Sequence, residues 1–254
     1  MENDYKVKSL AKAMHLLECF SVATPELGIT ELADMLSITK SNVFNIVSTF
    51  QQMGYIRRLP NGKYALGLHM LEYAFVINQQ LGYPKAVYDV LMETAEKTNQ
   101  LVYFGIPYGM DVLYLYVVHP IARLKELPYR EILGEKTLLC ATGIGRAMLA
   151  FMPESEWDSR IPDNVPKFTP NTLTGREEIK DELRRTRERG YAIDNVEREP
   201  NIRCVGMPVY NAQGELIAGM STSGPASIMT DEMLERCSEI LQVSAAKMRN
   251  RIYR

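Results

Sequence analysis

The sequence predicts a winged helix-turn-helix followed by a mixed module of strands and helices, and three observations predict it. The stretch ITELADMLSITKSNVFNIVSTFQQMGYIRRLPNGKYAL, Ile29 to Leu66, joins two short apolar-periodic segments through a tight turn. It then runs at once into two short strand-like segments around Asn61-Gly62. Beyond a break at Gly82-Tyr83-Pro84, β-rich segments are interleaved with amphipathic ones.

In the first region, Leu10, Ala13, Met14, Leu17 and Phe20 recur at helical spacing, with Ser9 as N-cap. Pro25-Glu26-Leu27-Gly28 ends that helix. Thr30 can cap a second, whose apolar face is Leu32, Ala33 and Leu36. Thr39 or Ser37 can cap a third, in which Val43, Ile46, Val47, Phe50 and Met53 step by three and four. Gly54 supplies its stop. Asn-Gly between alternating segments is a strong hairpin signal, so Tyr55–Arg58 and Lys63–Leu66 read as the wing. Leu68 to Leu81 is helix-like again and ends at the Gly-Tyr-Pro break. The boundaries are therefore a winged domain over 1–66, a linker helix over 67–82 and a second domain over 83–254.

The second domain opens with an amphipathic helix, Lys85 to Thr98. Strands follow at Leu101–Ile106 and Val112–Val118, with the blurred alternation of strands covered on both faces. A polar loop over Ala122 to Lys136 precedes a helix from Gly143 to Phe151, and a Pro-rich loop holds the lone Trp157. Thr174-Gly175-Arg176-Glu177 is a capping box for a charged helix that stops at Gly190. Strands at Tyr191–Asp194, Ile202–Tyr210 and Leu216–Ser223 precede a final helix capped by Thr230. This is an α/β or α+β sensor-like module.

Composition narrows the function. The 254 residues carry 46% hydrophobic and 24% charged side chains, the balance of a soluble globular protein, and a formal net charge of -2. No global basic field steers such a chain to nucleic acid, so DNA binding must rest on a local face. No apolar run approaches the roughly 20 residues that span a bilayer, and the N-terminus lacks the features of a signal peptide. Cys19, Cys140, Cys204 and Cys237 are too scattered for a disulfide framework and fit reduced thiols in the cytoplasm. His15, His69 and His119 show no metal-ligand spacing, and no cofactor motif is present.

In a helix-turn-helix the second helix enters the major groove N-terminal end first. That explains Lys40-Ser41-Asn42, polar residues that a core does not need. Asn pairs with adenine, Lys with guanine or phosphate, and Ser41 suits a phosphate at the helix N-terminus. Phe44 and Asn45 project on the same side, away from Val43, Ile46 and Val47, and Phe44 could pack on a thymine methyl. Arg57, Arg58 and Lys63 charge the wing, and Lys6, Lys8 and Lys12 the first helix.

With both halves read, the chain resembles the IclR family of bacterial transcriptional regulators over nearly its whole length. The N-terminal layout SLAKAMHLLECF, GITELADMLSITKSNVFNIVSTFQQMGYIRR and GKYALG carries the first half of the likeness. CATGIGRAMLA and RGYAIDNVEREPNIRCVGMPVYNAQGELIAGMSTSGP carry the second. The resemblance implies an α+β chain whose C-terminal, GAF-like effector-binding and oligomerisation domain has a central antiparallel sheet flanked by helices. It implies a homodimer or tetramer that represses or activates a catabolic operon from a double-stranded DNA operator. The effector would be a small metabolite, often a carboxylate.

The family's effector-contacting positions match Gly143, Ile144, Asp194, Ile202, Cys204, Ser221 and Ser223 here. Thr142-Gly143-Ile144-Gly145 leads into a helix, so free N–H groups and a positive dipole end should face a ligand carboxylate. The serine hydroxyls can donate to ligand oxygens, and Cys204 can serve as a small apolar wall. An ionised Asp194 would accept from a ligand hydroxyl, which favours sugar acids, hydroxy acids or hydrated oxo acids. Leu127 and Tyr129 would belong to a lid. Two alternatives stand beside this reading. The second domain could only oligomerise, or Cys204 could be a nucleophile with Asp194 or a histidine as base, although no hydrolase motif surrounds it.

Overall fold

The structure, a computed structural model, describes residues 5–123 and 132–252. The chain divides into two compact units, Met1–Leu81 and Gly82–Arg254. The helix expected as a linker falls inside the first unit.

The first unit runs α1 (Lys8–Glu18), α2 (Ile29–Leu36), α3 (Lys40–Gln52), β1 (Ile56–Arg58), β2 (Tyr64–Leu66) and α4 (His69–Leu81). Leu16, Leu17, Leu32, Val43, Val47 and Ile56 form its buried centre. Each such side chain contributes roughly 1.5–3 kcal/mol when taken out of water, which lets so small a unit hold three short helices against a hairpin. Thr39 caps α3, its hydroxyl accepting from the Asn42 N–H at 3.3 Å.

Several local expectations are corrected. Ser9 lies inside α1, whose N-cap is Val7. Leu10 and Met14, expected on the buried stripe of α1, are exposed, and Leu16 is buried instead. Thr30 lies inside α2; the cap is Gly28, whose N–H donates to the Glu31 carboxylate at 2.6 Å. The hairpin forms as expected, with Asn61-Gly62 inside its loop rather than making a two-residue turn. Gly62 has φ 81 but Asn61 has none of the positive φ that such a turn requires. The Gly62 N–H donates to the Leu59 carbonyl at 3.0 Å, and the Leu59 N–H to Lys63 at 2.8 Å. The loop is thus a type I turn with a left-handed glycine behind it, because Pro60 presets the first turn residue. Tyr55 clamps the start of α4: its hydroxyl meets that of Tyr73 at 2.6 Å, and its ring packs on His69 and Tyr73.

The second unit runs α5 (Tyr83–Thr98), β3 (Leu101–Tyr108), β4 (Asp111–Val118), β5 (Lys136–Leu138), α6 (Gly143–Leu149), α7 (Glu154–Arg160), α8 (Arg176–Arg189), β6 (Ala192–Asn195), β7 (Ile202–Tyr210), β8 (Leu216–Pro225) and α9 (Asp231–Arg249). The strands form one sheet in the order β5-β4-β3-β8-β7-β6, every pairing antiparallel. Trp157 lies in α7 rather than in a loop. The capping box of α8 is shifted by one residue, to Gly175 and Glu178. The turn-rich spacing hid both.

The alternation of β3 sorts the two layers. Phe104 packs on Tyr83 of α5, whereas neighbouring Tyr103 joins the core around α6 and α8. α5 and α9 lie side by side, bridged by the Thr94 and Ser244 hydroxyls at 2.7 Å and by Glu93 to Lys247 at 2.8 Å. α6 lies unusually close to β7. A Cβ on Gly206 would stand 2.2 Å from the Gly143 carbonyl oxygen, and one on Gly143 would stand 2.5 Å from the Cys204 sulfur. Neither backbone can retreat, so Gly206→Ala should destabilise by roughly 3 kcal/mol or more, read as a lowered urea midpoint.

Candidate functional site

Each unit carries a surface with functional chemistry. In the first, α3 buries Val43 and Val47 and exposes Lys40, Ser41, Asn42, Phe44 and Asn45. At 3.6 residues per turn, Ser41, Asn45 and Thr49 run up the middle of that face. Thr49 was not among the sequence candidates, although its eight-residue spacing from Ser41 marks it. Phe44 is 55% exposed, an apolar ring with nothing inside the unit to cover it.

On the wing, Arg57 and Arg58 are exposed, while Lys63 is tied to Glu31 at 2.9 Å. The Gly28 N–H and then Lys63 hold the Glu31 carboxyl below its ordinary range. Lys63 therefore carries a local counter-charge, whereas among the described residues neither Arg57 nor Arg58 meets a carboxylate. With an operator selected from random DNA, Lys40→Ala should weaken binding and reduce the salt slope by about 1. Asn45→Ala should relax base preference at a cost of roughly 1–3 kcal/mol, and Lys63→Ala should change affinity less than Arg58→Ala.

In the second unit, a cavity of about 70 Å³ opens between the sheet and α6. The register explains its wall. Asp194 pairs with Cys204, Cys204 with Ser223, and Ser221 with Tyr103, so residues far apart in sequence form adjacent rows. Asp194, Ile202, Cys204, Ser221 and Ser223 all line it, with Ile144 from α6. Gly143 stands behind Cys204 rather than in the wall. Leu127 and Tyr129 lie outside the described residues. The sequence reading missed Tyr103, Tyr114, Thr137, Thr142 and Arg198, which also line the cavity beside Ile132, Glu135 and Glu199. For the tyrosines the signal existed only in strand pairing, which is not local. Burial pushes the Tyr114 hydroxyl above its ordinary range, so it remains a neutral donor.

The helix N-terminus of α6 is partly occupied from within. The Gly145 N–H donates to the Thr142 hydroxyl at 3.2 Å, and the Gly143 N–H faces the Cys204 sulfur. Two donors of the first turn are thus spent inside the protein. Gly143 and Gly145 let the helix pack closely on Cys204 and Leu139.

Asp194 sits where a turn and a wall coincide. Its Oδ1 accepts from the Glu197 N–H at 2.8 Å. Burial pushes its carboxyl up to about 6, against the pull of the Arg146 charge. Arg146 of α6 is fully buried and grips the Glu197 carboxylate with both Nη atoms, one at 2.8 Å. It also donates to the Ile193 carbonyl. Burial would depress this guanidinium, but the Glu197 bonds and charge raise it overall, so it stays charged. Thr169 and Thr172 hold the same turn by donating to the Glu197 carbonyl at 3.2 and 2.6 Å.

Cys204 is buried, and burial first, then the Asp194 charge, push its thiol far above the ordinary range. That is the reverse of what a nucleophilic thiolate needs. Among the described residues no group of three or more His, Cys, Asp or Glu could hold a metal, and no helix is long and apolar enough to cross a membrane.

Comparison with known proteins agrees with this architecture. The model for the IclR helix-turn-helix domain matches residues 9–60, and that for the bacterial transcriptional regulator IclR C-terminal domain matches residues 80–250. The chain belongs to the IclR family of bacterial transcriptional regulators. The transcriptional regulator XynR of Escherichia coli is 32% identical over 93% of both chains. The regulator KdgR of the same organism is 28% identical over 95% of this chain and 91% of its own. Among solved structures, the Thermotoga maritima IclR has a TM-score of 0.72 at 28% identity, covering 95% of this chain and 97% of its own. An IclR homologue from Microbacterium hydrocarbonoxydans, complexed with 4-hydroxybenzoate, has a TM-score of 0.81 at 18% identity over 95% and 97%.

The Asp194 shift makes a pH prediction. The folded state prefers the protonated carboxyl more than the unfolded chain does, whose value lies near 3.8. That preference stabilises fully below pH 3.8 and is lost as pH rises through about 6. Asp194→Asn keeps the acceptor for Glu197 but cannot ionise. Its stability relative to the wild type should therefore grow from pH 4 to pH 7 by roughly 2 kcal/mol, measured by thermal unfolding at each pH.

Proposed function

We propose that this regulator is a cytoplasmic homo-oligomer that binds a palindromic or near-palindromic operator through α3 and the wing. A small carboxylate in the second unit would control it. The observation that carries the effector reading is the cavity itself, whose wall presents hydroxyls from Ser221, Ser223, Thr137 and Thr142. A module used only for oligomerisation has no need of a polar hollow. The bound 4-hydroxybenzoate of the Microbacterium homologue, a hydroxylated acid in the same fold, supports the class. The names of relatives such as the acetate operon repressor of Salmonella typhimurium support control of a catabolic operon. The inert Cys204 favours binding over turnover.

Oligomerisation is supported by apolar surface in the first unit. Val7, Leu10 and Met14 of the α1 region, and Leu71, Phe75, Val76 and Ile77 of α4, are all exposed. Apolar patches of this kind mark contact surfaces, and the fit is to a second copy, as a two-fold operator requires. Effector binding would then change the relative presentation of two recognition helices through α4. Saturating effector that leaves operator affinity and transcription untouched would sink that coupling.

Thermal unfolding against sugar acids, hydroxy acids, 2-oxo acids and aromatic acids tests the reading. A ligand at about 100 times its dissociation constant should add about 2.7 kcal/mol, and Ser221→Ala should remove that gain. A uniform absence of shifts would leave the second unit as an oligomerisation module.

A further inference from the structure

The cavity adjoins an outer cleft of about 400 Å³, lined by Asp111, Lys136, Pro162, Pro166 and Phe168 among others. Thr137 and Arg198 line both. They are bonded to each other, with Arg198 Nε donating to the Thr137 hydroxyl at 3.1 Å. The guanidinium also lies over the Phe168 ring, 4.2 Å from its centroid. Both restraints fix its plane. Yet among the described residues neither Nη atom meets a carboxylate or a carbonyl.

An oriented guanidinium with two idle donors is built for a two-pronged acceptor. Carboxylate geometry matches that fork, and the stacking on Phe168 means that little freedom remains to be lost on binding. Charge bookkeeping points the same way. Arg198 is the one cation among the described liners of the inner cavity, and the Asp194 carboxyl stands in the same wall. An anion entering the cavity would need a cation beside it to offset the Asp194 carboxyl. The helix N-terminus of α6, the other source of positive potential, has already committed two of its donors.

We propose that Arg198 is the specificity-determining residue of the effector site, taking the carboxylate of a small hydroxylated acid at the junction of cavity and cleft. The hydroxyls of that acid are left to Ser221, Ser223 and Asp194, deeper in the wall. This rests on the reading of the cavity as an effector site and adds where the anion sits. Arg198 belongs to a strand-connecting loop whose backbone is held by Arg146, Thr169 and Thr172, so the side chain can be changed without disturbing that scaffold.

The test uses acids paired with neutral counterparts of the same shape: gluconate with glucitol, glycolate with glycolamide, 4-hydroxybenzoate with 4-hydroxybenzamide. Binding to the full-length protein is measured by calorimetry and thermal shift. The wild type should bind at least one acid and prefer it to its partner. Arg198→Gln should weaken that acid on the order of 10- to 100-fold while leaving the neutral partner unchanged or improved. Arg198→Lys, which keeps the charge but loses the fork, should fall between the two. Unligated melting temperatures close to the wild type establish that the variants fold. Equal binding of acid and neutral partner, or full acid binding by Arg198→Gln, overturns the assignment to Arg198 and leaves the effector site standing. No binding by any of the six compounds overturns both.

Discussion

A guanidinium with no access to water must be met by opposite charge and by hydrogen bonds, or it destabilises the fold by several kcal/mol. Arg146 meets this condition through Glu197 and the Ile193 carbonyl. The rest of the second unit is arranged around that constraint. Arg146 emerges from α6, so α6 must lie flat on β7, so Gly143 and Gly206 cannot carry side chains. Glu197 must stay at the tip of the β6–β7 connection, so the loop that bears Arg198, between Asp194 of β6 and Ile202 of β7, is pinned to the helix beneath it. The cavity wall is in this sense the far side of one ion pair.

Some of this was legible in the sequence, and the boundary is physical. The helix-turn-helix was readable because its signals are local. Thr39 caps the helix that holds Val43 and Val47, and helical periodicity reports which side of it faces inward. The rows that build the cavity were readable only as same-face pairs, Ser221 with Ser223 and Ile202 with Cys204. That β3 lies beside β8, bringing Tyr103 to Ser221, depends on pairing across more than a hundred residues. Arg146 and Glu197 are 51 residues apart and neither stands out alone.

The misreadings share one cause. Thr30, Ser9 and Thr174 are good cap residues by type, yet the observed caps are Gly28, Val7 and Gly175. At Gly28 and Gly175 a glutamate three residues on accepts the orphan N–H, so the capping residue needs no side chain of its own. Likewise, the type of residue 143 does not announce that a Cβ there would meet the Cys204 sulfur of the sheet. Residue type limits what a position can do; packing decides which option is taken.

The tip of the pinned loop carries one further mark. Val196 has φ 61, a left-handed conformation that a β-branched residue adopts only at a cost of order 1–3 kcal/mol. Its carbonyl accepts from the Thr169 hydroxyl at 2.6 Å, and its neighbours are held by Arg146 and Thr172. The loop is therefore a cocked element, with its shape maintained by its surroundings against its own preference. A substitution at 198, which projects from this frame, leaves the restraints on Val196 and Glu197 in place. The frame itself, being over-determined, would hand each new side chain to the cavity at the same height and angle.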